Sequence, residues 1–279
     1  MEIRINGKTA DITLDHEKTV GEIIAGLENH LAVCGHRLSG LSIDGQTVSL
    51  SSIEDAFLRE IDIVNILDLY THSLAELFVL TLLDLMSDID EYEALNLEDK
   101  NKFYENWKER AGAKFTAEQM PELFSLYANA FCGGGMDVRI LRSITEERLR
   151  EVKEPAQELE KIQPHIEEAC ARLVDLPLDI QTGKDRQAAE TIQYFTGITE
   201  KIFRIYRQLE IQGIIQTAED EKTAVQFIED FSLTVRDFLQ AYEKQDTVLV
   251  GDLAEYEIAP RLGELYNAVT ENSRMAGKK

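Results

Sequence analysis

Residues 143–271 carry four apolar stripes in succession, and few folds can absorb them. Leu149, Val152, Ala156, Leu159, Ile162, Ile166, Cys170 and Leu173 recur at spacings of three and four. That rhythm lines one side of an α-helix. Ala188, Ile192, Phe195, Ile198, Ile202, Tyr206 and Leu209 repeat it, then Ala224, Phe227, Phe231, Val235, Phe238 and Tyr242. Leu249, Leu253, Ile258, Leu262, Leu265 and Val269 make the fourth stripe. A one-sided helix needs a neighbour to cover its stripe, so four in a row predict a long antiparallel four-helix bundle over 143–272. The expected crossings are 175–185, 212–220 and the tight pair Gln245-Asp246, followed by a polar, flexible tail at 273–279. Pro155 and Pro164 lie within the first stripe and are expected to kink that helix or delay its start.

The first 69 residues follow other rules. Ile3 and Ile5 alternate with polar neighbours, Asn6-Gly7 is a tight-turn pair, and Ala10, Ile12 and Leu14 alternate again, which predicts a β-hairpin. Thr19-x-x-Glu22 is a capping box that opens a helix with Val20, Ile23, Ile24, Leu27 and Leu31 on one face. A strand over 38–43, the Asp44-Gly45 turn and a short strand over 47–50 come next. Ser51-x-x-Glu54 should cap a single helical turn, and 61–67 alternates as a last strand. This order of elements resembles the β-grasp fold of ubiquitin-like proteins. Modifier and sulfur-carrier members of that superfamily present a free C-terminal Gly-Gly for adenylation; here the last strand runs on through Asp68-Leu69-Tyr70 into a helix.

Between these regions, 70–142 reads as a helical connector. Ser73-x-x-Glu76 caps a helix with Leu74, Leu77, Phe78, Leu82 and Leu85, a second near 97–110 holds Trp107, and Thr116-x-x-Gln119 opens a third. Gly133-Gly134-Gly135 ends it and is the expected hinge. The fold class expected is α+β: a small β-grasp-like domain at 1–69, the connector at 70–142 and the bundle at 143–272.

Charge narrows the partners. The 279 residues hold 29 Lys and Arg against 52 Asp and Glu, a formal net charge of −23. Residues 1–70 carry −7 and the remainder −16, so the acidity is spread and is no local tail. Duplex nucleic acid and anionic membrane would both be repelled. The N-terminal residues lack the apolar core of a signal peptide, and the longest apolar run, 74–85, is broken by Glu76, Thr81 and Asp84 and is too short to span a bilayer. Cys34, Cys132 and Cys170 are odd in number and far apart, which suits reduced thiols in the cytoplasm.

No candidate for chemistry has a matched partner. The histidines, His16, His30, His36, His72 and His165, never pair at helical spacing, and His30, Cys34 and His36 supply at most three ligands where zinc wants four. Cys132 stands at a helix end whose dipole disfavours a thiolate, and Cys170 should be a small core residue. Thr182-Gly183-Lys184-Asp185 precedes a helix, where amides, Lys184 and Arg186 could grip an anion; the simpler reading is a glycine turn with Asp185 as N-cap. Asp252, Glu255 and Glu257 with Leu253 and Tyr256 form an acidic patch able to receive a basic protein segment. The expectation is therefore a cytoplasmic, non-enzymatic adaptor or chaperone-like protein that binds another protein through Asp252, Leu253, Glu255 and Tyr256, with no cofactor and no metal. The alternatives are an enzyme or small-molecule sensor with an anion site at Thr182, Gly183, Lys184 and Arg186, and a self-assembling spacer, possible as a homodimer.

Overall fold

A computed structural model describes residues 1–14, 16–49, 52–215 and 222–276, with the backbone alone for 222–226, 272 and 274–276. The Ser51 cap, the end of the 47–50 strand, 216–220 of the second crossing, the Ala224 side chain and the 277–279 end of the tail lie outside the described residues. The chain is α+β and divides into two compact units, Met1–Gly134 and Gly135–Lys279.

The first unit opens with a five-stranded mixed sheet of β1 (Glu2–Ile5), β2 (Lys8–Thr9), β3 (His36–Ile43), β4 (Gln46–Thr47) and β5 (Ile66–Ser73), in the order β2-β1-β5-β3-β4. β1 runs parallel to β5 and the other pairs are antiparallel. Asn6 and Gly7 both take positive φ, 49° and 76°, as do Asp44 and Gly45, 51° and 82°. Such pairs match the twist of the strands they join. Both turns also reach into β5: the Thr71 amide donates to Asn6 Oδ1 at 2.9 Å, and the Asn65 and Ile66 amides donate to Asp44 Oδ1 at 3.0 and 2.8 Å. α1 (Val20–Val33), capped by the Thr19 hydroxyl, brings Val20, Ile23 and Ile24 into one core with Ile3, Leu41, Ile43, Leu67 and Leu69.

Two strand expectations are corrected here. The last strand is not 61–67: Ile61–Ile63 is a 3₁₀ turn with Ile63 exposed, and β5 starts at Ile66, where the Asp44 carboxylate collects the amides. Its buried alternation is Leu67, Leu69, Thr71. The second arm of the hairpin stops at Thr9; Ile12 and Leu14 pack partly on the core without pairing.

Ser73 ends β5 and caps α3 (Leu74–Ala94) through the reciprocal Ser73–Glu76 box. α2 (Ile53–Phe57) is the short helix between β4 and β5, and α4 (Leu97–Trp107), α5 (Ala111–Gln119) and α6 (Pro121–Phe131) complete the unit. Thr116 does not open a helix. It lies within α5, its hydroxyl donating to the Gly112 carbonyl at 2.7 Å, and the break falls at Met120. Pro121 sets it by pushing the preceding residue out of helical backbone. Trp107 is fully buried, stacks on Tyr127 and donates to Asp88 at 2.9 Å.

The second unit is helical: α7 (Val138–Lys153), α8 (Pro155–Lys161), α9 (Gln163–Gln181), α10 (Asp185–Ile211), α11 (Lys222–Glu243), α12 (Thr247–Asp252), a π turn (Leu253–Ile258) and α13 (Ala259–Ala276). The prolines do more than kink: Pro155 and Pro164 stand in the first turns of new helices, splitting the first stripe into three. The first crossing shrinks to 182–184, because α9 continues through Pro177 to Gln181. Lys184, not Asp185, occupies the N-cap, and Asp185 is the first helical residue. Three residues expected on apolar stripes, Ala156, Tyr242 and Leu249, are exposed, and Cys170 is half-buried, its thiol donating to the Ala259 carbonyl at 3.2 Å.

α10 is central. Phe195 meets Phe238 of α11 edge-on at 6.1 Å, and Phe203 meets the fully buried Phe231 at 6.4 Å. Among the described residues no helix is long and apolar enough to cross a membrane. Phe231→Ala is expected to cost about 3–5 kcal/mol in urea unfolding, the toll of removing a large ring from a packed core. A loss below about 1 kcal/mol would place the ring at a surface.

Candidate interaction face and buried charge network

The fourth stripe contains an irregular step, and it shapes the face outside it. Pro260 has no amide and its ring presses on the carbonyl four residues back, so a plain α-helix cannot pass through it unchanged. The backbone widens in the turn before it, and the Ala259 amide donates to the Ala254 carbonyl, five residues back. Val250, Ala254, Ile258 and Leu262 are buried in steps of four, with Gly251 and Ala259 buried beside them. A straight α-helix drifts ~40° per such step; the wide turn holds the four in line. The five-residue gap from Leu253 to Ile258, with Pro260 just after, is the sequence signal of this turn.

α12 is pressed onto α9 at Gly251, where an added Cβ would lie 3.1 Å from the Pro177 Cβ. With that side committed inward, Val248, Asp252 and Tyr256, again four apart, face outward. Val248 is 72% and Tyr256 66% exposed, and Leu249 beside them is exposed too. Leu253 packs partly on the core and Glu255 is half-buried. Glu255 and Asp252 push the Tyr256 phenol above its ordinary value, Glu255 chiefly by accepting a hydrogen bond from it. Glu257 is neutralised by Arg261 at 2.9 Å. Asp252 and Glu255 form no ion pair among the described residues. Exposed apolar side chains thus stand beside uncompensated carboxylates. The sequence places Leu249 on the buried stripe and singles out nothing at Val248, so neither is legible there as a surface residue.

The turn at 182–184 is differently equipped. The Thr182, Gly183 and Lys184 amides donate back to the Leu178, Ile180 and Asp179 carbonyls, closing α9, and Gly183 takes a φ of 71°. Lys184 pairs with Asp179 at 2.9 Å and Arg186 with Glu190 at 2.8 Å. Gly133 and Gly134 close α6 in the same manner, and the boundary between the two compact units falls between Gly134 and Gly135.

A buried charge network, invisible as a motif, joins α7, α8 and α10. Glu151 is 1% exposed and accepts two parallel hydrogen bonds from Arg204, both 3.0 Å, with Arg148 at 3.2 Å. Lys201 bridges Glu147 at 2.6 Å and Glu158 at 3.5 Å, and Lys161 adds 2.8 Å to Glu158. α7 buries only Leu141 and Val152 as apolar residues, so charge holds much of it in place. Burial pushes the Glu151 carboxyl up to about 7, opposed by Arg148 and Lys201. Glu158, less deeply placed, is held below the usual range by Lys161 and Lys201, although burial works the other way. Among the described residues no group of three or more His, Cys, Asp or Glu is placed to hold a metal ion.

Comparison with known proteins divides the chain at related places. Residues 1–73 match the TP0873 N-terminal domain. Residues 154–268 match a domain of unknown function, DUF8042. Across both, the chain is 19% identical over 270 residues to an uncharacterized protein of Treponema pallidum (strain Nichols), covering 96% of each. No solved structure matches. The first match ends at the last residue of β5, and the second begins at the α7–α8 junction and ends within α13.

A carboxyl whose value rises from 4.5 to about 7 on folding binds more protons in the native state between those limits. Unfolding free energy should therefore fall as pH climbs from 4.5 to 7, by up to roughly 3 kcal/mol from this group. Urea titrations of Glu151→Gln against the parent should show that component of the slope abolished, whatever the change in absolute stability.

Proposed function

We propose that the chain is a non-catalytic binding protein whose outer face on α12 and the π turn receives a basic, amphipathic segment of another protein. The observation that carries this reading is the pairing of exposed Val248, Leu249 and Tyr256 with Asp252 and Glu255, which have no ion-pair partner among the described residues. Large apolar side chains gathered on a surface favour a covering partner. Unpaired carboxylates, in a chain of net charge −23, favour a cationic one and speed its approach. A second copy carries the same excess charge and is the poorer occupant. The three free thiols support a reducing compartment, the cytoplasm. In this reading the triglycine is the hinge between the units.

The same proposal takes the sheet and α1 as a β-grasp domain, supported by parallel β1 and β5 at the centre of the sheet and by α1 in its core. It takes α9 to α13 as an antiparallel four-helix bundle, supported by the ring contacts of α10 with α11 and the close approach of α9 to α12. A fragment of residues 1–73 should then give a dispersed amide NMR spectrum; collapsed dispersion would remove the independent-domain reading.

Association with a model helix of leucine and lysine, followed by stopped-flow fluorescence, tests the face. Asp252→Lys with Glu255→Lys should slow binding several-fold at low salt, and the two proteins should converge as the Debye length falls to ~3 Å near 1 M. Equal rates at low salt, or equal binding of a leucine–glutamate helix, overturn the proposal.

A further inference from the structure

A groove of about 610 Å³ lies in the second unit along α9 and α10, away from the α12 face. Ile162 and Ile198 line it, and Gly197 leaves it open, since a Cβ there would meet no atom within 4 Å. Its polar wall is a directed hydrogen-bond chain. Tyr194 Oη donates to Glu168 Oε2 at 2.8 Å. A phenol has one hydrogen, so the 2.9 Å contact with His165 is made by the imidazole Nδ1–H donating to the Tyr194 oxygen. Burial and the Glu168 carboxylate raise the Tyr194 phenol, which keeps that hydrogen in place. Arg172 closes the chain: one terminal nitrogen donates to Glu168, and its guanidinium lies 4.5 Å from the Tyr194 ring centroid.

This fixes what the wall has to spare. Nδ1 of His165 is committed, so Nε2 is the free ring nitrogen, and the other two guanidinium nitrogens of Arg172 have no protein partner among the described residues. The carboxylates of the groove are already faced by cations, Glu147 by Lys201 at 2.6 Å and Glu190 by Arg186 at 2.8 Å. Lys201 itself is taken up by Glu147 and Glu158. Acceptor charge is matched, while Arg172 has donor capacity left over.

We propose that this groove binds a small carboxylate with an apolar body, its oxygens taken by the two spare guanidinium nitrogens of Arg172 beside His165 and its body lying along Ile162, Ile198 and Gly197. The titratable groups along this groove are Glu147, Glu168, Arg172, Glu190, Tyr194 and Lys201. A free organic acid and the C-terminal carboxylate of a peptide present the same chemistry.

The test uses the full chain with labelled histidine and arginine side chains, observed by NMR in the millimolar range where weak carboxylate sites fill. The probes are 4-methylpentanoate and 4-methylpentylamine, and N-acetylglycyl-leucine with its amide. Either acid should shift the His165 and Arg172 side-chain signals, and the amine and amide should not. Arg172→Gln should weaken binding about tenfold or more, the effect of losing a hydrogen bond to a charged group. Gly197→Leu, which fills open space on a helix, should abolish it without unfolding the protein. Binding of the free acid alone points to a small molecule, and of the peptide acid alone to a chain terminus; both support the site. Equal shifts with amine and acid, unchanged affinity in both variants, or no shift with any probe overturns it.

Discussion

Burial of α10 from two sides is the constraint on which the second unit depends. On one side Phe195, Phe203, Ile202 and Leu209 meet the apolar residues of α9, α11 and α13. Each large apolar side chain taken from water stabilises by about 1.5–3 kcal/mol, enough to offset the roughly 1–2 kcal/mol of backbone entropy lost per ordered residue only when many are buried together. The other side is ionic: Lys201 and Arg204 draw in Glu147, Glu151 and Glu158. A buried bidentate pair offsets its own desolvation at best, but leaving one partner alone is costly. The apolar side supplies stability, and the ionic side specifies where α7 and α8 sit.

That division explains why the proposed working surfaces of the unit lie at the edges of its core. The groove along α9 and α10 has a polar wall, His165, Arg172 and Tyr194, that stands outside the core, and Gly197 opens it at an exposed helical position. The α12 face exists because Gly251 lets the helix approach Pro177 closely while Pro260 forces a wide turn downstream. Both are backbone consequences of residues with no side-chain chemistry of their own.

In the first unit the turns do the equivalent work. Asn6 and Asp44 adopt left-handed backbone and then use their side chains to collect amides of β5. Each turn thereby fixes both a reversal and the register of a strand more than twenty residues away. Asp88 plays a comparable part among the helices, accepting from Trp107 and Arg110 so that the indole nitrogen is satisfied inside an aromatic core.

Local rules made much of the architecture legible. An Asn-Gly and an Asp-Gly pair can do little but turn, Thr19 and Ser73 with glutamate three residues on are helix starts, and stripes of period 3.6 are helices, so the α+β class and most helices could be read directly. Where the reading failed, a distant group decided. The start of β5 depends on Asp44, the passage of α9 through Pro177 is seen only with Gly251 packed against it, and Leu249 turns outward because Val250 and Ala254 face inward across the π turn. Asp252, Glu255 and Tyr256 could be proposed from the sequence, since charge and aromaticity are local properties. The Glu151 network could not, because its members are drawn from different helices; in the hydrogen-bond chain of the groove His165, Glu168 and Arg172 share one face of α9, and only tertiary packing brings Tyr194 of α10 to them.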